Sequence, residues 1–185
     1  MKKEFEMSMV GELTFFLGLQ VKQKKEDIFI SQEKYARNIV KKFGLDSKKH
    51  ASIPMSSSTK LNVDSSGVEV SPNLYRSIIG SLLYLTTSRS DIAFSMGVCA
   101  RYQAALKETR LTVVKQIIRY INGTPDYGFW YSKDSNACLA SYSDADWAGS
   151  VDDRKSTSSG CFYLGNNLVS WISKKQNSVS LYGRS

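Results

Sequence analysis

Two carboxylates, Asp144 and Asp146, stand one residue apart near the end of the run Leu139–Gly149. The alternating apolar pattern of Leu139–Ser143 reads as a strand, and a strand that ends in Asp delivers a carboxylate to its C-terminal edge, where a metal could sit. Magnesium takes oxygen ligands and keeps several of its waters, so one or two carboxylates make only a weak site for it. Aspartates at strand ends also cap turns, and residue type alone leaves both roles open.

The second chemistry is electrostatic. Lys22, Lys24 and Lys25 cluster in one short stretch, Lys34, Arg37 and Lys41 recur in the next, and Lys174 and Lys175 lie near the end. Lys and Arg number 25 against 17 Asp and Glu, a net charge of +8. Such a surface releases counterions when it meets a phosphate backbone. Phosphate contacts ask for charge more than for exact geometry. A basic surface also serves plain solubility.

Other chemistries fit poorly. Lys155–Gly160 (Lys-Ser-Thr-Ser-Ser-Gly) lacks the spacing of a phosphate-binding loop and reads as a turn into a hairpin. Cys99, Cys138 and Cys161 are odd in number and widely spaced, and His50 is the single histidine. This disfavours a zinc site and leaves the cysteines as small buried hydrophobes of a reducing compartment. His50, in a loop beside Lys48 and Lys49, has no nucleophile placed near it by sequence. Trp130, Trp147 and Trp171 could stack on bases, although aromatic residues in β segments more often fill a core. The N-terminus has no apolar run of a signal peptide, and no segment approaches the ~18 apolar residues of a membrane span. The expectation is an intracellular protein, cytoplasmic or nuclear, not secreted and with no membrane partner.

The elements that must position these groups follow from periodicity. Phe15–Val21 alternates as a strand, Lys24–Asp27 makes a charged turn, and Ile28–Ile30 returns as a hairpin partner. Ser31 is the expected N-cap and Gly44 the stop of a helix. On it Tyr35, Ile39, Val40 and Phe43 share one face, with Lys34, Arg37 and Lys41 opposite. That basic stripe faces either phosphates or simply water.

Residues 46–71 read as a linker or long loop. Ser71-Pro72 opens a second helix with Leu74, Ile78, Leu82 and Leu85 inward. A third runs from Asp91 towards Ala105. A fourth spans Glu108–Asn122, with Leu111, Val114, Ile117, Ile118 and Ile121 inward and Gly123 as its stop. From Tyr127 the pattern becomes β-rich: Tyr127–Tyr131, Leu139–Ser143, Cys161–Leu164 and Leu168–Ile172, with Gly165-Asn166-Asn167 as a turn. The chain therefore reads as α+β, mostly helical before a boundary near residue 126 and β after it.

Several stretches, in order across almost the whole chain, resemble the Pol polyprotein of copia-type long-terminal-repeat retrotransposons. They are Gly11–Gln20, Gln32–Tyr35 with Phe43–Leu45, Tyr75-Arg76, Gly80–Leu85, Arg89–Ile92, Tyr120–Thr124, Tyr142–Gly149, Asp153–Thr157, Trp171 and Ser173–Gln176. The resemblance implies the end of the reverse-transcriptase palm and the start of its thumb over 1–45. It implies a helical thumb and connection region over 46–126, and the first part of a ribonuclease H-like domain over 127–185. Ancestral activity would be reverse transcription with cleavage of the RNA strand in RNA–DNA hybrids.

The resemblance further makes Asp144 a remnant catalytic residue and first ligand of Mg²⁺, with Asp146 a second metal carboxylate. The basic residues Lys22, Lys24, Lys25, Lys34, Arg37, Lys41, Lys174 and Lys175 would contact the hybrid or another nucleic acid. There are departures. Ser90, Leu106 and Arg110 replace the family's usual proline, proline and histidine, the polymerase Tyr-x-Asp-Asp motif is absent, and Ser180–Ser185 replaces the helix start that carries the nuclease glutamate. The expected outcome is a truncated, catalytically inactive nucleic-acid-binding remnant, with magnesium weakly held or absent. Alternatives are a domesticated protein-interaction module or a pseudogene product. The cut sheet would leave an edge and an apolar face open to self-association.

Overall fold

A tight turn, not a continuous strand, shapes the first of the described elements. The computed structural model describes residues 11–56, 68, 70–101, 107–133, 136, 138–146 and 154–179. The expected strand Phe15–Val21 is two: β1 (Phe15–Phe16) and β2 (Leu19–Gln23), antiparallel, with Leu17 and Gly18 at φ 46° and 79° between them. Two successive positive φ values make the turn whose twist suits a hairpin. The Tyr84 hydroxyl donates to the Leu17 carbonyl and holds that turn in place. β3 (Asp27–Ser31) returns against β2 as expected.

Helix α1 (Glu33–Lys42) follows at once, one residue later than a Ser31 cap would place it. Ser31 is instead the last, buried residue of β3. At the other end Gly44 adopts φ 65°. The Gly44 N–H donates to the Lys41 carbonyl and the Leu45 N–H to the Val40 carbonyl, a Schellman ending with Leu45 buried beyond it.

α2 (Pro72–Leu85) starts after Ser71 with its proline in the first turn. Leu74, expected inward, is exposed, and Tyr75, Ile78, Ile79, Leu82 and Leu85 form the buried stripe. The expected third helix begins with a 3-10 turn at Ser90–Ile92 before α3 (Ala93–Arg101). Residues 102–106, including Leu106, lie outside the described residues. α4 (Glu108–Gly123) buries the five expected apolar residues together with Val113 and Arg110. The core joins these four helices through Ile39 and Val40, Leu82 and Leu85, Met96, and Ile117 and Ile118.

β4 (Gly128–Ser132) looks in sequence like the first of the late strands, yet it pairs with β3 and completes a sheet ordered β1-β2-β3-β4. Gly128 is required there. A Cβ at this position would collide with the Ile30 carbonyl. The second sheet is β5-β6-β7, from β5 (Leu139–Ala145), β6 (Lys155–Leu164) and β7 (Asn167–Val179), antiparallel throughout. Lys155–Gly160 is therefore strand rather than turn. Its backbone groups are consumed by ladders on both sides, and small hydroxyl side chains fit a central strand, with Ser156 and Thr157 buried. β7 likewise runs past Ile172 to Val179.

Side chains join the layers. The Asn167 amide mimics a strand at the end of β4, accepting from the Ser132 N–H at 2.9 Å and donating to its carbonyl at 3.0 Å. Trp171 stacks on Phe129 at 4.7 Å and its Nε1 donates to the Thr86 carbonyl. Of the cysteines, Cys99 is buried, Cys161 half-buried and Cys138 exposed, so the last departs from the expectation of burial.

Candidate nucleic-acid interface

Strand alternation sorts the hairpin's basic residues by face. Lys22 lies opposite Phe29, and Phe29 opposite Trp130, so these three form one row across β2, β3 and β4. The next row along the same face holds Phe15, Gln20, Ser31 and Gly128. The other face carries Val21, Ile30 and Phe129, and turns inward to Trp171.

Lys24 leaves the strand at the turn, where its backbone N–H donates to the Asp27 carbonyl at 2.8 Å. Its ammonium lies 4.6 Å from the centre of the Trp130 ring. Lys25, at the tip, is exposed. The Gln20 side chain accepts from the Lys34 N–H at 2.7 Å and ties the start of α1 to the row beside Lys22. Lys22, Lys24, Lys25 and Lys34 thus share one surface.

Arg37 and Lys41 are exposed further along α1. Lys41 lies about 10 Å beyond Lys34 along the axis. Arg37 is already engaged with Glu33 at 2.9 Å, which lowers its value to a ligand. Lys174 and Lys175 are on β7, in the other sheet, opposite Ser158 and Thr157. Neighbours in a strand point to opposite faces, so the two do not act as a pair: Lys174 is exposed and Lys175 half-buried.

Asp144 and Asp146 sit at the end of β5, both exposed, with Asp144 opposite Ser159. Asp146 is largely engaged. Its carboxylate accepts from the Thr157 N–H, and its own N–H donates to the Thr157 carbonyl. Asp144 accepts from the Ala145 N–H at 2.8 Å through one oxygen. The remaining lone pairs suit a hydrated magnesium ion at the strand end. Among the described residues no group of three or more His, Cys, Asp and Glu converges on a metal position. Trp147, Asp153 and Ser180–Ser185 lie outside the described residues.

The sequence marks Trp130 as able to stack on bases, but two participants, Phe29 and Arg89, escape that reading. Phe29 and Trp130 stack at 4.7 Å, and Trp130 is 51% exposed. The signal was present in the alternation of Phe129, Trp130 and Tyr131, but which face looks outward depends on a pairing across about a hundred residues. Arg89 is the other, a residue that organises rather than binds. It is buried, with Nε and Nη2 on the Asp91 carboxylate and Nη1 on the Thr124 carbonyl. Tyr120 donates to the same carboxylate at 2.9 Å, and that bond, after burial, pushes its phenol pKa up. The Arg89–Ile92 and Tyr120–Thr124 stretches are thereby one polar knot tying the turn before α3 to the end of α4.

Residues 1–57 match the family described as reverse transcriptase (RNA-dependent DNA polymerase). The Retrovirus-related Pol polyprotein from transposon RE2 of Arabidopsis thaliana is 34% identical over 179 residues, which cover 97% of this chain and 12% of that protein. The corresponding polyprotein from transposon TNT 1-94 of Nicotiana tabacum is 32% identical over 98% of this chain and 14% of its own length. The uncharacterized mitochondrial protein AtMg00810 of Arabidopsis thaliana is 34% identical over 95% of this chain and 73% of its own length. No solved structure matches. The chain spans about an eighth of the Pol polyproteins it matches.

Proposed function

Because the chain belongs to the Pol polyproteins of copia-type retrotransposons, we propose that it grips nucleic acid through the surface of Lys22, Lys24, Lys25 and Lys34. In this reading β1–β3 and α1 are the end of the palm and the start of the thumb. α2–α4 are thumb and connection, and β5–β7 are the first sheet of a ribonuclease H-like part. The pairing of β4 with β3 supports assigning that strand to the hairpin side. The ligand is an RNA–DNA hybrid or another nucleic acid, held by its phosphates without sequence preference.

One observation carries the proposal: four lysines on β2, its turn and the first turn of α1 share a surface. Among the described residues Lys22, Lys25 and Lys34 have no ion pair to compete with phosphate. Lys41 extends the surface along α1. An intracellular setting, cytoplasmic or nuclear, accords with the ligand and with the free thiols.

Asp144 and Asp146 would hold the magnesium ion. When bound, such ions activate water and stabilise the leaving oxygen in two-metal hydrolysis. Asp144 supplies a ligand oxygen, and Asp146, through its bond to Thr157, fixes the strand end that presents it. Among the described residues, two carboxylates with one partly spent do not make a two-metal site, and we propose that the 185-residue chain binds without cleaving.

The test is fluorescence anisotropy of a labelled RNA–DNA hybrid across a salt series with Mg²⁺. Binding should weaken steeply with salt, and each of Lys22→Ala, Lys25→Ala and Lys34→Ala should lower the salt slope by about 1. No binding at low salt refutes the grip, and magnesium-dependent cleavage of the RNA strand refutes the inactivity.

A second reading has its own observation. The face of the second sheet that carries Leu139, Phe162, Leu164 and Ile172 is exposed at all four residues. Apolar residues so gathered favour self-association, which salt leaves intact or strengthens.

A further inference from the structure

Phosphate contacts account for the lysines and leave the aromatic residues between them unexplained. Phe29 and Trp130 occupy the middle of the outward face of the first sheet, with ring centres 4.7 Å apart and planes tilted by 36°. An indole usually turns inward when a core is available. Here the inward place on β4 is taken by Phe129 and Tyr131, and Trp130 faces out at 51% exposure. Phe15, in the neighbouring row, is 53% exposed.

Lysines border this patch on two sides: Lys22 in the same row, and Lys24 with its ammonium over the indole. Lys25 and Lys34 continue beyond them. The carboxylates nearby are Asp27 on the same face, Glu26 at 3.9 Å from Lys133, and Glu33 paired with Arg37. Positive charge therefore prevails around the rings. An exposed aromatic face edged by cations complements a planar group attached to a phosphate. A duplex offers such groups only at its ends, because its bases are already stacked on each other. Unpaired nucleotides offer one at every position.

We propose that this sheet face is a stacking platform for single-stranded nucleic acid, with a base laid on Trp130 and its flanking phosphates on Lys22 and Lys24. The Lys24 ammonium covers the ring in the free protein. Its flexible stem lets a base displace it, and the ammonium then moves a few ångströms onto the phosphate. Phe29, packed against the indole at 4.7 Å, limits its rotation. Stacking tolerates any base, so the platform adds affinity without sequence preference. This inference rests on the phosphate grip proposed above and assigns that grip an unpaired strand.

The test compares two labelled oligonucleotides of equal length and charge, oligothymidylate and a fully abasic strand, titrated into the full chain at low salt. Oligothymidylate should bind roughly 5- to 150-fold more tightly. Trp130→Leu should remove that difference and leave abasic binding unchanged, whereas Trp130→Phe should retain most of it. A thermal melt of each variant verifies folding, and the wild-type comparison needs no variant. Equal affinity for the two strands overturns the platform and leaves the phosphate grip standing. A base-dependent difference that persists in well-folded Trp130→Leu also overturns it. Binding to neither strand overturns both proposals.

Discussion

Replacing Arg89 by Met is expected to lower stability by about 3 kcal/mol, the cost of removing one partner from a buried ion pair. The guanidinium is 2% exposed and makes five hydrogen bonds: three to Asp91, at 2.7, 2.9 and 3.2 Å, and two to Thr124, at 2.7 Å to the carbonyl and 2.8 Å to Oγ1. Charge-assisted bonds are worth about 1.5–3 kcal/mol each when considered singly, but the sum overstates the loss. The Asp91 side chain is 31% exposed and regains water once the arginine is gone. Methionine also fills most of the volume between Tyr120 and Tyr127, whose rings lie 5.6 and 5.1 Å from the guanidinium carbon. What remains is chiefly the weakened satisfaction of the Thr124 carbonyl, which keeps only a 3.4 Å bond from the Tyr127 N–H, and the lost tie between the turn before α3 and the end of α4.

For a chain of this size that loss shifts the melting temperature by about 6–12 °C, read by far-ultraviolet circular dichroism at neutral pH. The reverse substitution, Asp91→Asn, should cost more, because it strands a nearly fully buried cation whereas Arg89→Met frees a carboxylate that reaches water. Arg89→Lys should rescue only part, since a point charge cannot span Asp91 and Thr124 together. A melting temperature for Arg89→Met within a degree of the parent refutes the reasoning. So does an Asp91→Asn variant that is the milder of the two.

Gly128→Ala should destabilise by about 2 kcal/mol or more, because the added methyl meets the Ile30 carbonyl and the Ser31 Cβ, backbone and buried side chain that have nowhere to go; a neutral chemical-denaturation midpoint would contradict the β3–β4 register. Burial pushes the Cys99 thiol from its ordinary 9.0 up to about 12. The unfolded chain then loses that proton first, so stability present below pH 9 falls as the pH rises towards 12, and Cys99→Ala should flatten the fall between pH 9 and 10. Cys138, being exposed, should alkylate in the native protein while Cys99 reacts only after denaturant, as mass spectrometry would show. Ile172→Lys, on the exposed face of β7, should reduce any concentration-dependent association seen by sedimentation; unchanged association would remove that face from consideration.

Much of this molecule is written locally. The burial stripe of α1, its Gly44 ending, the Pro72 start of α2 and the inward face of α4 all depend on residues three or four apart, and each formed where periodicity placed it. The basic surface was legible for the same reason: Lys22, Lys24, Lys25 and Lys34 lie within thirteen consecutive residues joined by one turn. Elsewhere local signals misled. The polar run Lys155–Gly160 looks like a turn because hydroxyl side chains usually serve turns, but a central strand between β5 and β7 satisfies its backbone without asking for apolar residues. Lys174 and Lys175 look like a pair until β7 is seen to extend through them, which sends adjacent side chains to opposite faces.

Tertiary structure alone decided the rest. Composition groups β4 with the late strands. Only its pairing with β3, about a hundred residues earlier, turns Trp130 outward beside Lys24 and sends Phe129 inward to Trp171. Nor does any local pattern show that Arg89 is buried, since a charge goes inside only where Asp91 and Thr124, from separate elements, arrive together to receive it. Periodicity reports which face of an element is apolar. Which element covers that face, and what is left looking at solvent, is settled by contacts between residues far apart in the chain.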